Sequence, residues 1–185
     1  MYIDHFGIIS GLFNRMPEFS PPARLLDLLD LKPNMIMLDA GGGTGRVADS
    51  LRRYVQKIVV DDISHLMLRY AVEKGLTATR APVEHLPFAS DTFDRIIMVD
   101  ALHHVYNSHT AIQELLRVLS PSGVLMIIEP DIRKMFVKLI AIAEKILFMR
   151  SHFLNRDRIV ELVSERTLNI QVVEEGYDIW IRINK

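Results

Sequence analysis

A short apolar run, Met35–Ala40, gives way to Gly41-Gly42-Gly43-Thr44-Gly45, after which helical spacing (Val47, Leu51, Val55) covers Gly45–Tyr54. Glycine at a turn admits φ > 0 and lets a ligand touch the main chain, so this passage reads as strand, tight turn and helix. The chain then repeats that βα order. Lys57–Asp61 reads as a second strand and Ser64–Lys74 as a second helix stopped by Gly75. Leu76–Arg80 and Phe93–Val99 follow as strands, then a helix over Ser108–Leu119 that Pro121-Ser122-Gly123 ends, then a strand over Val124–Glu129. Upstream, Pro21-Pro22 opens a helix over Ala23–Leu31 that Pro33 stops. Strands separated by helices of this length need crossover connections, hence an α/β fold with a mostly parallel sheet covered on both faces. Helical stretches over 132–150 and 155–167 break the pattern. Beyond them, Ile170–Val173 and Ile179–Ile183 read as an antiparallel hairpin across Glu175-Gly176 that closes one sheet edge.

At 185 residues the chain is of single-domain size. The expected division is an N-terminal helical segment (1–32), a cofactor-binding core (35–130), a helical cover (131–168) and a closing hairpin (169–185). With 49% hydrophobic and 24% charged residues it reads as an ordinary globular protein. A net charge of −1 argues against a nucleic-acid partner. The absence of cysteine removes disulfides, thiolate metal sites and cysteine nucleophiles, and fits a cytoplasmic location. Neither end reads as a targeting signal. The most apolar stretch, Met135–Met149, is interrupted by Lys138, Glu144 and Lys145, so no transmembrane segment is expected.

The turn also contains Gly43-Thr44-Gly45-Arg46-Val47-Ala48, which satisfies a dinucleotide pattern, whereas no Gly-Lys-Ser/Thr follows to make a P-loop. Asp39 separates the remaining readings. A pyrophosphate over the turn would meet its carboxylate with a repulsion of roughly 2–3 kcal/mol per charge pair at ~6 Å and an effective dielectric near 20. A ligand bearing an ammonium would gain by a similar amount, and S-adenosylmethionine is such a ligand, with no phosphate. Asp61 and Asp62 end the second strand, where a carboxylate can accept both ribose hydroxyls. If Val60 points into the sheet, alternation turns Asp61 outward as a surface charge and Asp62 toward the loop, which favours Asp62.

Four segments in this order, LDAGGGTGRVA (38–48), VDDISHLMLRYA (60–71), EHLPFASDTFDRIIMVDALHHV (84–105) and LLRVLSPSGVLMIIEP (115–130), resemble the class I S-adenosylmethionine-dependent methyltransferases, in particular the branch with quinone-biosynthesis and other small-molecule enzymes. The resemblance implies a Rossmann-like three-layer sandwich with a seven-stranded sheet whose last two strands form the hairpin. It implies S-adenosylmethionine as cofactor. By its motifs Asp39, Gly41, Gly43 and Gly45 form the cofactor loop, Asp39 serving the methionine ammonium, and Asp62 is the ribose acid. Ile63 and Met67 pack on the adenosine, and Asp100 brings main chain beside the amino-acid tail. One departure stands out. Where the family commonly has Asp-Ala before E-x-L-P-F, the Asp receiving the adenine amino group, this chain has Pro82-Val83, so only the Val83 amide or Glu84 could replace that contact. Losing one such hydrogen bond costs about 0.5–1.5 kcal/mol.

Methyl transfer is an in-line displacement in which the enzyme mainly positions the reactants, and a base is needed only when the acceptor must lose a proton. His103 and His104, beyond the fourth strand, are the candidate bases, with Tyr106 and His109 on the same loop. The bland alternative is that one histidine bonds the next loop and packs beneath it. No metal-ligand spacing recurs, so no metal is expected. The helix over 132–150 has an apolar face (Phe136, Leu139, Ile140, Ala143, Ile146, Leu147) and a cationic excess. It reads as a packed helix, a cover over the acceptor pocket, or a peripheral membrane surface that receives a lipid-soluble acceptor. Phe6, Phe13 and Phe19 close over the cofactor or cap the core. The sequence therefore predicts methyl transfer to a small-molecule acceptor, by a monomer or a homo-oligomer. Its competitors are a dinucleotide-dependent oxidoreductase and an inactive cofactor-binding relic.

Overall fold

The structure is a computed structural model, described here for residues 10–11, 15, 17–134, 156–163 and 169–185. The readings of Phe6, Phe13 and nearly all of the helix over 132–150 fall outside these residues. The described elements are α1 (Ala23–Leu29), β1 (Ile36–Ala40), α2 (Arg46–Leu51), β2 (Lys57–Asp62), α3 (His65–Glu73), β3 (Thr77–Arg80), β4 (Phe93–Val99), α4 (Ser108–Val118), β5 (Leu119–Pro130), α5 (Arg156–Val163), β6 (Asn169–Glu175) and β7 (Asp178–Asn184). They build one seven-stranded sheet in the order β3-β2-β1-β4-β5-β7-β6. The five strands from β3 to β5 run parallel, and β7 joins β5 antiparallel with β6 outside it. The expected Rossmann-like sandwich and its closing hairpin are both present.

Successive strand residues divide between two cores. Leu38, Ile96, Leu125 and Ile127 pack with α4 (Ile112, Leu115) and α5 (Ile159, Leu162) on one face. Met37, Ile97, Met126 and Ile128 pack with α1 (Leu25, Leu29), α2 (Ala48, Leu51) and α3 (Leu68, Ala71) on the other. A sheet covered on both faces needs apolar side chains at every position, which is why β1, β4 and β5 read as continuous hydrophobic runs instead of alternating ones.

Two boundaries differ from the sequence reading, each for a local reason. α1 stops before Pro33 because Asp30 adopts a left-handed conformation (φ 45°) and its amide bonds the Leu26 carbonyl. The carbonyls left over at its end are taken by arginines from the sheet. Buried Arg95 on β4 donates Nε to Leu29 O (2.5 Å) and Nη2 to Asp30 O (3.1 Å), while Arg182 on β7 donates Nε to Leu28 O (2.7 Å). Cations at a helix C-terminus also oppose its dipole. At the second boundary, Pro121-Ser122-Gly123 does not separate helix from strand but lies inside β5. There the register against β4 slips, with Phe93 opposite Leu119 and Arg95 opposite Val124. Main-chain bonds from Ser122 N to Lys185 O and from Lys185 N to Gly123 O hold this passage.

Arg95→Met keeps the apolar stem but leaves the Leu29 and Asp30 carbonyls without their charged donor. Loss of hydrogen bonds to a charged group predicts a destabilisation of about 2–4 kcal/mol, read as a lower midpoint at unchanged m in urea unfolding.

Candidate functional site

In the sheet order the chain runs outward from β1 to β2 and β3, then returns to β4 and β5 on the other side of β1. The β1/β4 boundary is therefore a topological switch point, and ligands of such sheets bind beyond the carboxyl ends of the strands there. The glycine turn emerges at this place. Gly41, Gly43 and Gly45 all have positive φ (68°, 54° and 72°). Two of them are also required by space. A Cβ on Gly41 would lie 2.6 Å from the Ala101 Cβ beyond β4, and one on Gly45 would lie 2.5 Å from Leu76 Cδ1. The turn is thus pressed against the β4 loop on one side and the approach to β3 on the other.

Asp39 is wholly buried beneath this turn. Its Oδ2 accepts the Ala48 amide of α2 (3.1 Å), and its Oδ1 has no hydrogen-bond partner. Burial, with repulsion from Asp62, raises its carboxyl to about 7, against the opposing Ala48 amide and Arg46. Asp62 faces the turn as alternation predicted. Its Oδ2 accepts Gly43 N (2.9 Å) and its Oδ1 accepts Ser64 N (2.7 Å), which ties the turn to the end of β2. Ser64 in turn caps α3 by accepting Met67 N (3.3 Å). Exposed Ile63 and buried Met67 flank Asp62, and a Cβ built on Gly43 would lie 3.9 Å from Met67 Sδ.

Asp61 corrects the sequence reading: it is not a surface charge but fully buried. Outward and inward lose their meaning in a doubly covered sheet. Asp61 lies opposite Ala40 of β1 and Thr79 of β3, on the side where Val59 and Val83 share a core. Neither of its carboxylate oxygens makes a hydrogen bond. Burial, and then the neighbouring Asp62, raise its carboxyl to about 8.

Val83 is buried and opens a 3-10 turn, Val83–His85. Glu84 uses Oε1 to accept Asn107 N (3.0 Å), at the residue that caps α4. His103 is 3% exposed, and its Nδ1 lies 2.5 Å from Oε2 of equally buried Glu129. The other Glu129 oxygen accepts Ala101 N (3.0 Å) and Leu102 N (2.8 Å). His103 thus takes part in fixing the β4 loop. His104 is less buried, its ring centroid 3.9 Å from that of His103, and Tyr106 is 88% exposed. Asp100 follows β4 with φ 51° and an exposed side chain.

Glu129, which holds the β4 loop, and Arg46, whose charge acts on Asp39 and Asp100, are candidate-site residues that sequence reasoning passed over. Glu129 was legible by the criterion applied to Asp39 and Asp62, an acid at the carboxyl end of a parallel strand. Arg46, whose guanidinium lies 5.6 Å from the Phe19 ring centroid, carries no such signal.

Comparison with known proteins agrees with this geometry. Residues 38–127 match the methyltransferase-domain family. The demethylmenaquinone methyltransferase of Thermobifida fusca is 34% identical over 108 residues, covering 55% of this chain and 46% of that protein. The ubiquinone/menaquinone biosynthesis C-methyltransferase of Haemophilus ducreyi is 30% identical over 115 residues, covering 56% and 44%. The chain thus spans less than half the length of these relatives. A solved S-adenosylmethionine-dependent methyltransferase from Aquifex aeolicus shares the fold, with a TM-score of 0.79, 21% identity and 99% coverage of both chains. Its core is thus similar to S-adenosylmethionine-dependent methyltransferase domains, the curated relatives among them quinone-biosynthesis enzymes. The residues present fit that cofactor. A buried carboxylate oxygen without a partner suits an ammonium, and the Asp62 carboxylate spends two hydrogen bonds on the chain while it has about four lone-pair sites.

The two raised carboxyls fix a sign for the pH dependence of stability. Their folded values lie above the ordinary 3.8, so their stabilising effect is complete below about 3.8 and is lost as pH rises through about 7 for Asp39 and about 8 for Asp61. Asp61→Asn removes one of these groups. Its unfolding free energy relative to the parent should rise with pH, by up to about 1.4 kcal/mol per unit, and level off above pH 8. Urea melts of both proteins at pH 5, 6.5, 8 and 9 measure it.

Proposed function

We propose that this protein transfers a methyl group from S-adenosylmethionine to a small lipophilic acceptor of quinol type, in the cytoplasm. The observation that carries the reading is Asp39, a buried carboxylate with an open acceptor site directly beneath a glycine turn. A diphosphate over that turn meets repulsion, while a cationic amino-acid tail meets its counter-charge. In this reading Asp39 holds the ammonium, and Gly41, Gly43 and Gly45 keep the turn low enough for the tail to lie on main chain. Main chain at Asp100 borders the same tail. Asp62 receives the ribose hydroxyls, Ile63 and Met67 pack on the adenosine, and the Val83 amide with Glu84 borders the base. The acceptor class follows from the quinone-methylating relatives. Among the described residues no helix is long and apolar enough to cross a membrane.

When bound, the cofactor supplies an electrophilic methyl group on a sulfonium. The chain's own contribution is placement. Asp62 joins the turn to β2 before any ligand arrives, and Glu129 fixes the β4 loop against β5. A preordered site holds its ligands without reorganising, and orientation of this kind provides much of the acceleration in bimolecular transfers.

Calorimetric titration with S-adenosylhomocysteine should give binding, and titration with NAD none; heat with NAD alone reverses the assignment. Asp62→Asn should weaken S-adenosylhomocysteine by tenfold or more, because it replaces a charged acceptor of two ribose hydroxyls. Transfer of label from methyl-labelled cofactor to reduced demethylmenaquinone tests the acceptor class.

A further inference from the structure

Among the described residues, Asp100 is an exposed acid at the switch point whose side chain the reading above leaves without a task. It follows β4 directly, and Ala101 beside it touches the glycine turn through Gly41. Its backbone is in the left-handed region, unusual for a residue with a side chain, and is held there from both sides. Asp100 N donates to Ile128 O (2.9 Å), while the next two amides are bound by Glu129. Strained backbone that its surroundings fix so firmly concentrates at functional sites. The Asp100 carboxylate accepts no hydrogen bond among the described residues; the residue is exposed at the surface, yet the protein packed around its carboxylate removes much of its water. His103 is the opposite case, buried and engaged with Glu129.

We propose that the Asp100 carboxylate is the catalytic base, accepting the proton of an acidic hydroxyl on the methyl acceptor. This rests on the methyltransferase reading. The acceptor's O–H bond breaks and the proton passes to an Asp100 oxygen, while the electron pair stays on the acceptor and is shared with its ring. The nucleophilic atom takes the methyl group and the sulfur keeps the electrons of the broken C–S bond; where that atom is a ring carbon its C–H proton then leaves to water, the electron pair restores the ring, and Asp100 returns its proton to the oxygen. The charges around Asp100 suit the task. Withdrawal of water by the surrounding protein, then repulsion from Glu129 on β5 and Asp178 on β7, raise its carboxyl to about 6, with His103 and Arg46 opposing. A base with that affinity is ionised at neutral pH yet holds a proton better than an ordinary aspartate.

The left-handed backbone makes the test clean. Asparagine and glycine both tolerate φ > 0, so Asp100→Asn and Asp100→Gly preserve the fold of the loop and remove only the carboxylate. Both should bind S-adenosylhomocysteine within about threefold of the parent, yet methylate reduced demethylmenaquinone about 100-fold or more slowly. The parent rate should rise with pH through about 6 and then level off, a limb both variants lose, and Asp100→Glu should recover part of the rate. If the Asn and Gly variants keep the parent rate and profile, Asp100 matters only through its backbone and the proposal fails. Absence of S-adenosylhomocysteine binding in the parent defeats the methyltransferase reading instead. If the parent binds it but methylates no quinol, the carbon-13 carboxyl resonance of Asp100 decides. A shift on adding 1,4-dihydroxynaphthalene to the S-adenosylhomocysteine complex supports the base, and an unmoved resonance refutes it.

Discussion

The site is organised around one buried carboxylate. Asp39 lies next to the end of β1 inside the protein, where removal from water opposes its charge, and only one of its oxygens is answered by the chain, through Ala48 N. The turn follows from that placement. A Cβ on Gly42 would lie 2.6 Å from Asp39 Cγ, so the main chain can wrap this side chain closely only where side chains are missing. α2 begins where it does because its Ala48 amide is drawn to the same carboxylate. The turn, the start of α2 and the approach to β4 are thus consequences of how one acid is accommodated.

Asp62 supplies the complementary restraint. By accepting Gly43 N and Ser64 N it couples the glycine turn to the cap of α3. A parallel sheet brings the carboxyl ends of its strands to one edge, so acids far apart in sequence become neighbours. Asp39 and Asp62 meet in this way at the β1/β2 edge. Glu129 and Asp100 do so at the β4/β5 edge, where Glu129 immobilises the loop that carries Asp100.

Much of this was legible in the sequence because it is written in local signals. Short apolar runs gave β1, β2, β4 and β5, with Gly41 marking the end of the first and Gly123 the start of the last, and the hairpin was visible from Glu175-Gly176. Alternation along β2 directed Asp62 toward the turn. Asp61 was misjudged because alternation distinguishes two faces only when one of them is wet, and both faces of β2 are covered. The end of α1 was placed two residues late because nothing in the sequence marks Asp30 as the left-handed residue that ends it, and the arginines that take its last carbonyls arrive from β4 and β7. That one histidine of the pair packs beneath the loop was among the readings, but not that Glu129, 26 residues away on the next strand, would hold His103.

The charge balance of the whole chain conceals how its carboxylates are placed. A formal net charge of −1 describes a nearly neutral protein, yet Asp39, Asp61, Asp62, Asp100, Glu129 and Asp178 gather along the carboxyl edge of the sheet. With Arg46 opposing it and the His103 ring engaged with Glu129, the edge relieves part of its repulsion by holding protons. Burial first, and then this repulsion, raise Asp39, Asp61 and Asp100 to about 7, 8 and 6. A ligand with a positive charge lowers that repulsion directly, and a phosphate increases it. Selectivity between two adenosine-containing ligands can therefore arise before any contact with the base, from the sign of the charge that each brings to the switch point.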